Sequence, residues 1–207
     1  MITTKLGSLA IGLGFLFFSH MNVTTPTPAS GTDVISLANM KEFLRVDHSD
    51  EDTTITALLD AAVAHVSDYT NRHIGTSASA IFYLERWRPA ALAYGPVVSI
   101  TSVTYNDTSG TLQTLDTSKY YVQTHKDDTC LIFFHDTPDL QDYNAMPIRI
   151  TASVGGQPSN SVKHAVRMLV AHWYENRRGV VTGTIATTIP LGVHSLLNTE
   201  RIIDTRQ

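Results

Sequence analysis

The amino-acid sequence predicts an α+β fold: an antiparallel helical bundle with an inserted small antiparallel β-sheet or barrel, and extended N- and C-terminal arms. Two observations lead there. Apolar residues recur at three-and-four spacing in two long stretches, 50–72 and 159–178, the mark of helices with one buried side. Between them, from about 80 to 154, the pattern changes to short β-branched or aromatic runs separated by turn residues. The helical parts need each other to cover their apolar sides, so the β region reads as an insertion. The chain divides into an apolar N-terminal extension with a Pro/Thr-rich linker (1–33), a main domain (34–178) and a C-terminal arm (179–207).

At the N-terminus Lys5 precedes the apolar run Leu6 to Phe18, too short for a confident transmembrane span. Three readings stay open: a signal peptide, an upstream extension with Met21 as the natural start of the globular part, and an apolar arm packed on a neighbouring subunit. Asn22-Val23-Thr24 and Asn106-Asp107-Thr108 match the glycosylation triplet, which matters only for a secreted chain. Residues 22–33 hold Pro, Thr, Ser and Gly with few large apolar side chains and read as an extended linker.

A short helix follows over 37–45, capped by Ser36, with Leu37, Met40, Phe43 and Leu44 on one face. The acids Asp47, Asp50, Glu51 and Asp52 around His48 have the composition of a hard-cation loop. The spacing of Ser49 and Asp52 favours a capping box, with acids complementing the positive end of the next helix. That helix carries Ile55, Leu58, Leu59, Ala62, Val66 and Tyr69 as its stripe and should pair with the helix of 159–178. Strands are predicted at 81–84, 97–105, 112–115, 120–124, 130–134 and 148–154, with hairpin connections at Asn106–Gly110 and at 126–128.

The last long helix has the clearest bounds. Ser159 supplies its cap, and Val162, Ala165, Val166, Leu169, Val170, Trp173 and Tyr174 form its apolar stripe. Asn176 to Gly179 stop it, with cations at the negative end. Beyond it, 179–188 are small and β-branched, His194 to Leu197 suggest a turn of helix, and the tail TERIIDTRQ holds Ile202 and Ile203 without evident partners inside a small domain.

Composition narrows function. In 207 residues the formal charge is -4, with 43% hydrophobic and 16% charged residues, which suits a folded domain and argues against a protein built to wrap nucleic acid. The single cysteine, Cys130, in the apolar run CLIFF, leaves the fold independent of an intrachain disulfide. Catalytic patterns are lacking. His164, His172 and Glu175 share a helix, yet a zinc helix places its histidines at i and i+4 around a glutamate, and that spacing is not present. No serine sits on a nucleophile elbow, and Gly155-Gly156 lacks the remaining phosphate-loop glycines. No enzyme activity, metal or cofactor is expected. Lys163 and Arg167, one turn apart off the apolar stripe, with Arg177 and Arg178 at the helix end, read as a solvated face or a subunit interface rather than a specific DNA contact.

Several stretches together resemble the tailed-bacteriophage head–tail connector family, also called head-completion or adaptor proteins. They are Ile35–Ala38 through Phe43–Asp47, Ser102–Tyr105 with Gly110-Thr111 and Leu115-Asp116, the run LVAHWYENR of 169–177, and Ile189–Val193 continuing to Leu197. The resemblance spans about 34–203, in the same order. It implies a mainly helical subunit with a small β part, non-enzymatic, forming a homo-oligomeric ring of twelve beneath the portal vertex. Such a ring joins the DNA-filled head to the tail or a stopper protein and passes the genome through its bore without sequence recognition. It would belong to the virion after assembly in the host cytoplasm, with no membrane contact. The segment from about Ile185 would be the portal-docking arm. Lys163, Arg167, Arg177, Arg178, Ile189, Leu191, Val193, Leu196, Ile202 and Ile203 would then be the portal or subunit contacts. Two readings from other classes compete: a secreted ligand- or carbohydrate-binding domain with a cleaved signal peptide, and a zinc hydrolase built on His164, His172 and Glu175.

Overall fold

The computed structural model describes residues 22–125, 128, 130–177 and 191–202. The elements run β1 (Asn22–Thr24), α1 (Gly31–Val34), α2 (Leu37–Leu44), α3 (Asp52–Thr70), β2 (Gly75–Leu84), β3 (Ala90–Leu92), β4 (Val97–Asn106), β5 (Leu112–Thr114), β6 (Tyr120–Thr124), β7 (Cys130–Phe134), β8 (Ile148–Gly156), α4 (Asn160–Glu175) and α5 (Leu191–Asn198).

Helices and sheets keep separate cores. Ile55, Leu59, Val63 and Val66 of α3 meet Val162, Val166, Leu169 and Val170 of α4, with Met40 of α2 and Val193 and Leu197 of α5 closing the cluster. The predicted pairing of the two long helices is therefore present. Gly31 is required where α1 crosses α3, since a Cβ there would lie 2.4 Å from the Leu59 carbonyl carbon. The second core lies between two antiparallel sheets, one ordered β1-β2-β8-β4-β5 and one ordered β3-β7-β6. Phe82, Leu84, Val103, Ile148 and Ile150 of the larger sheet face Leu92, Cys130 and Ile132 of the smaller, all at most 1 % exposed.

The α+β class stands, with one correction: no closed barrel is found among the described residues. The two sheets end on separate edge strands, and β1, β5 and β6 have mostly exposed side chains. Ser36 caps α2 as expected, accepting from the Asn39 N–H at 3.3 Å, and Ser159 caps α4, accepting from Val162 at 3.2 Å. The capping box at Ser49 does not form. There the Asp52 N–H reaches the Ser49 backbone carbonyl, α3 starts without a side-chain cap, and Asp52 pairs with Lys41 Nζ at 2.6 Å. Phe43, expected on the buried face of α2, is 42% exposed: Met40 is buried in the core and Leu37 and Leu44 pack half-buried against it, while Phe43 stays outside. The linker is not free chain throughout. Asn22–Thr24 pair with Tyr83–Ile81 on the sheet edge, and Gly31–Val34 form a turn of helix against α3.

Candidate functional site

The described residues among the predicted contacts fall on the helical half, where the structure separates those its own fold uses from those it leaves outward. Lys163 and Arg167 project half-buried from α4, and neither has an ion-pair partner among the described residues. Two like charges at i,i+4 disfavour the helix slightly, so this pair is not there for the helix's own stability. Of the remaining predicted contacts, Arg178, Ile189 and Ile203 lie outside the described residues, as does the side chain of Leu191.

Arg177 has an internal partner. Its Nη2 lies 2.5 Å from Glu51 Oε1, at the start of α3, and its Cζ sits 4.4 Å from the centre of the Tyr174 ring. The Tyr174 hydroxyl donates to Glu51 Oε2. The Tyr174 hydrogen bond, followed by that of Arg177, holds the Glu51 carboxyl below the usual carboxylate range. The same carboxylate pushes the Tyr174 phenol and the Arg177 guanidinium up. The end of α4 is thus clamped to the start of α3. Nothing in local spacing connects residues 51 and 177, which explains why the sequence reading placed Arg177 at an interface and Glu51 in a first helical turn.

The C-terminal segment also folds back onto its own chain. Val193 is 1% exposed in the helical core and Leu196 packs against that core, because 193, 196 and 197 share one face of α5. Ile202, expected to lack a partner in its own domain, is also 1% exposed. Its N–H donates to the Thr70 carbonyl at 2.9 Å, and its carbonyl accepts from Asn71 Nδ2 at 3.0 Å. Arg72, which the sequence reading passed over, ties three segments together: Nε donates to the Glu200 carbonyl at 2.5 Å, and Nη1 reaches Asp128 Oδ2 at 2.5 Å. Ser159 Oγ donates to the Glu200 carboxylate at 2.7 Å. Val193 and Ile202 therefore serve the subunit's own fold in this conformation, and the outward surface nearby belongs to Lys163, His164 and Arg167.

The histidine constellation does not gather. His164 is exposed, while His172 Nδ1 faces Asn176 Nδ2 at 3.4 Å and Glu175 points to solvent. Among the described residues no three His, Cys, Asp or Glu side chains converge as a metal site would need. Cys130 is buried in β7, and burial pushes its thiol up. Among the described residues no helix is long and apolar enough to cross a membrane.

A search of curated proteins finds no match. Among solved structures, the fold is similar to a chain in the neck of an empty gene transfer agent particle computed with C6 symmetry. The TM-score is 0.67 at 21% identity, covering 89% of this chain and 96% of that one. A chain from the virion of the native particle matches with the same figures: TM-score 0.67, 21% identity, 89% and 96% coverage. A third, from the native neck computed with C12 symmetry, matches at TM-score 0.64 and 19% identity, again over 89% and 96%. At these identities the likeness shows the fold, and the sequence itself supplies the kinship: residues 33–197 match the family model described as head completion protein, and the chain belongs to that family.

Proposed function

We propose that the chain is a structural adaptor between head and tail of a tailed phage particle. Twelve copies form a ring beneath the portal, join the capsid to the tail-side proteins, and leave a bore through which the genome passes without sequence readout. The protein acts by contact, not catalysis, at the head–tail interface of the virion, after assembly in the host cytoplasm. One observation carries this reading: the head completion family match spans the same residues that build both cores. The likeness to neck chains in particles computed with C6 and C12 symmetry supports the cyclic arrangement.

Within the ring, Lys163 and Arg167 are the outward cations of α4 and are assigned to a subunit or portal contact, together with Arg178, Ile189, Leu191 and Ile203. The intrachain roles of Arg177, Val193 and Ile202 make them supports of that surface, and Leu196 stands between the two groups. The test is native mass measurement of the purified chain at high concentration, alone and with portal protein. A cyclic oligomer or a portal complex is expected, and a monomer that ignores portal would contradict the reading. Lys163→Glu with Arg167→Glu should spare the fold and weaken assembly.

A further inference from the structure

The end of the β half farthest from the helices carries a feature that neither core needs. Tyr143, in the loop joining β7 to β8, is 91% exposed, the most exposed large apolar residue among those described. The loop that carries this ring is held. Trp87 Nε1 donates to the Pro138 carbonyl at 2.7 Å, the Gln141 N–H to the Asn106 carbonyl at 3.1 Å, and the Met146 N–H to Asn144 Oδ1 at 3.0 Å. The ring is thus presented on a fixed support, so burying it against a partner costs little ordering.

Charge says what kind of partner fits. From 135 to 147 the loop has Asp136, Asp139 and Asp142 and no Lys or Arg. Asp136 pairs with Lys119 Nζ at 3.5 Å, and Arg86 lines the hollow beside Asp139 and Asp142, yet these last two are exposed and without an ion pair among the described residues. A protein surface with an apolar socket and a Lys or Arg rim would satisfy both the ring and the two unpaired carboxylates. Position says which side. β8 runs from this loop to Gly156 and into α4, and its nine residues span about 30 Å. The loop therefore sits at the opposite end of the subunit from the α4–α5 surface.

We infer that the Tyr143 loop is the docking tip for the protein on the tail side of the ring, with Tyr143 entering an apolar socket rimmed by cations. The inference rests on the ring reading above and takes the portal, of the two contacts named there, as the one made by the α4–α5 end. The test uses heads purified from particles lacking this chain, the purified full-length chain, and purified tails. Chain retained on the heads is read by immunoblot, and joined particles are counted by electron microscopy. Tyr143→Ala should be retained like wild type while joining falls on the order of tenfold. Tyr143→Phe should restore most of the joining, since the ring is what enters the socket. Asp139→Asn with Asp142→Asn should make joining less sensitive to salt. Unchanged joining by Tyr143→Ala overturns the inference, and so does its loss from the heads, which would put the loop on the head side or between copies. A wild-type chain that fails to bind such heads overturns the ring reading, and this inference with it.

Discussion

The two halves of the molecule reach their cores by opposite routes. Every buried residue of the β core comes from one continuous stretch, 80–154. The helical core is assembled from three separated stretches: 34–74, 162–170 and 193–197. The β half can thus find its contacts within its own segment, whereas the helical half is incomplete until the chain returns twice. Closure of the helical half depends on long-range ties, namely the Glu51 clamp and the Arg72 hub with Ile202 beside it. The half built from separated stretches is also the half bearing the outward cations Lys163 and Arg167.

The largest expected effects break the cores themselves. Leu169→Ala and Ile150→Ala each empty a fully buried site and should cost about 2–5 kcal/mol, read by denaturant unfolding. Cys130, the single thiol and fully buried in the β core, distinguishes the halves. If the halves open separately, Leu169→Ala leaves thiol labelling of Cys130 slow, while Ile150→Ala speeds it. Equal acceleration by both would show that one cooperative unit spans the molecule.

Next in size is Ile202→Ala, at about 2–4 kcal/mol for a buried aliphatic side chain at the junction of the halves. The same change in an exposed arm would cost almost nothing, so calorimetry of this variant separates an internal strap from a free anchor. Trp173→Ala should cost less than the roughly 3–5 kcal/mol of a fully buried tryptophan, because the ring is half-exposed and meets His65 edge-on at 6.2 Å between centroids.

The smallest effects are in pH. The Glu51 carboxyl is depressed in the folded chain, so its contribution is present above the unfolded carboxylate range and is lost as pH falls through the folded value. Glu51→Gln should flatten that acid limb. His73 adds a second limb. Burial lowers its pKa, its Nε2 donates to the Thr76 carbonyl at 3.1 Å, and its Nδ1 is buried with no partner. The folded state therefore disfavours the imidazolium. Stability is full above the unfolded value of 6.5 and declines as pH drops below it. Thermal melts across pH 4 to 8, of wild type and Glu51→Gln, separate the two limbs.

Much of the fold was legible because its signals are local. Six strands and three helices were marked by periodicity, β-branched residues and Ser caps, and the observed bounds fall within a few residues except where β2 begins at Gly75. What was not legible came from distance. Ala90–Leu92 lacks strand-forming residues and is a strand only because it pairs with Cys130–Ile132. Asn22–Thr24 reads as linker and becomes an edge strand only beside Ile81–Tyr83. At the site, the position of Lys163 and Arg167 off the apolar stripe is readable from spacing alone, whereas the intrachain ties of Ile202 and Arg177 are not, because their partners lie 132 and 126 residues away, at Thr70 and Glu51.

The central claim is that this subunit does its work as one member of a cyclic assembly at the neck. Cryo-electron microscopy of purified particles that contain the chain tests it most directly. The account predicts a ring of twelve copies between capsid and tail, with the α4–α5 end toward the portal and the Tyr143 loops toward the tail. Density for the chain elsewhere in the particle, or no ring at the neck, would contradict it.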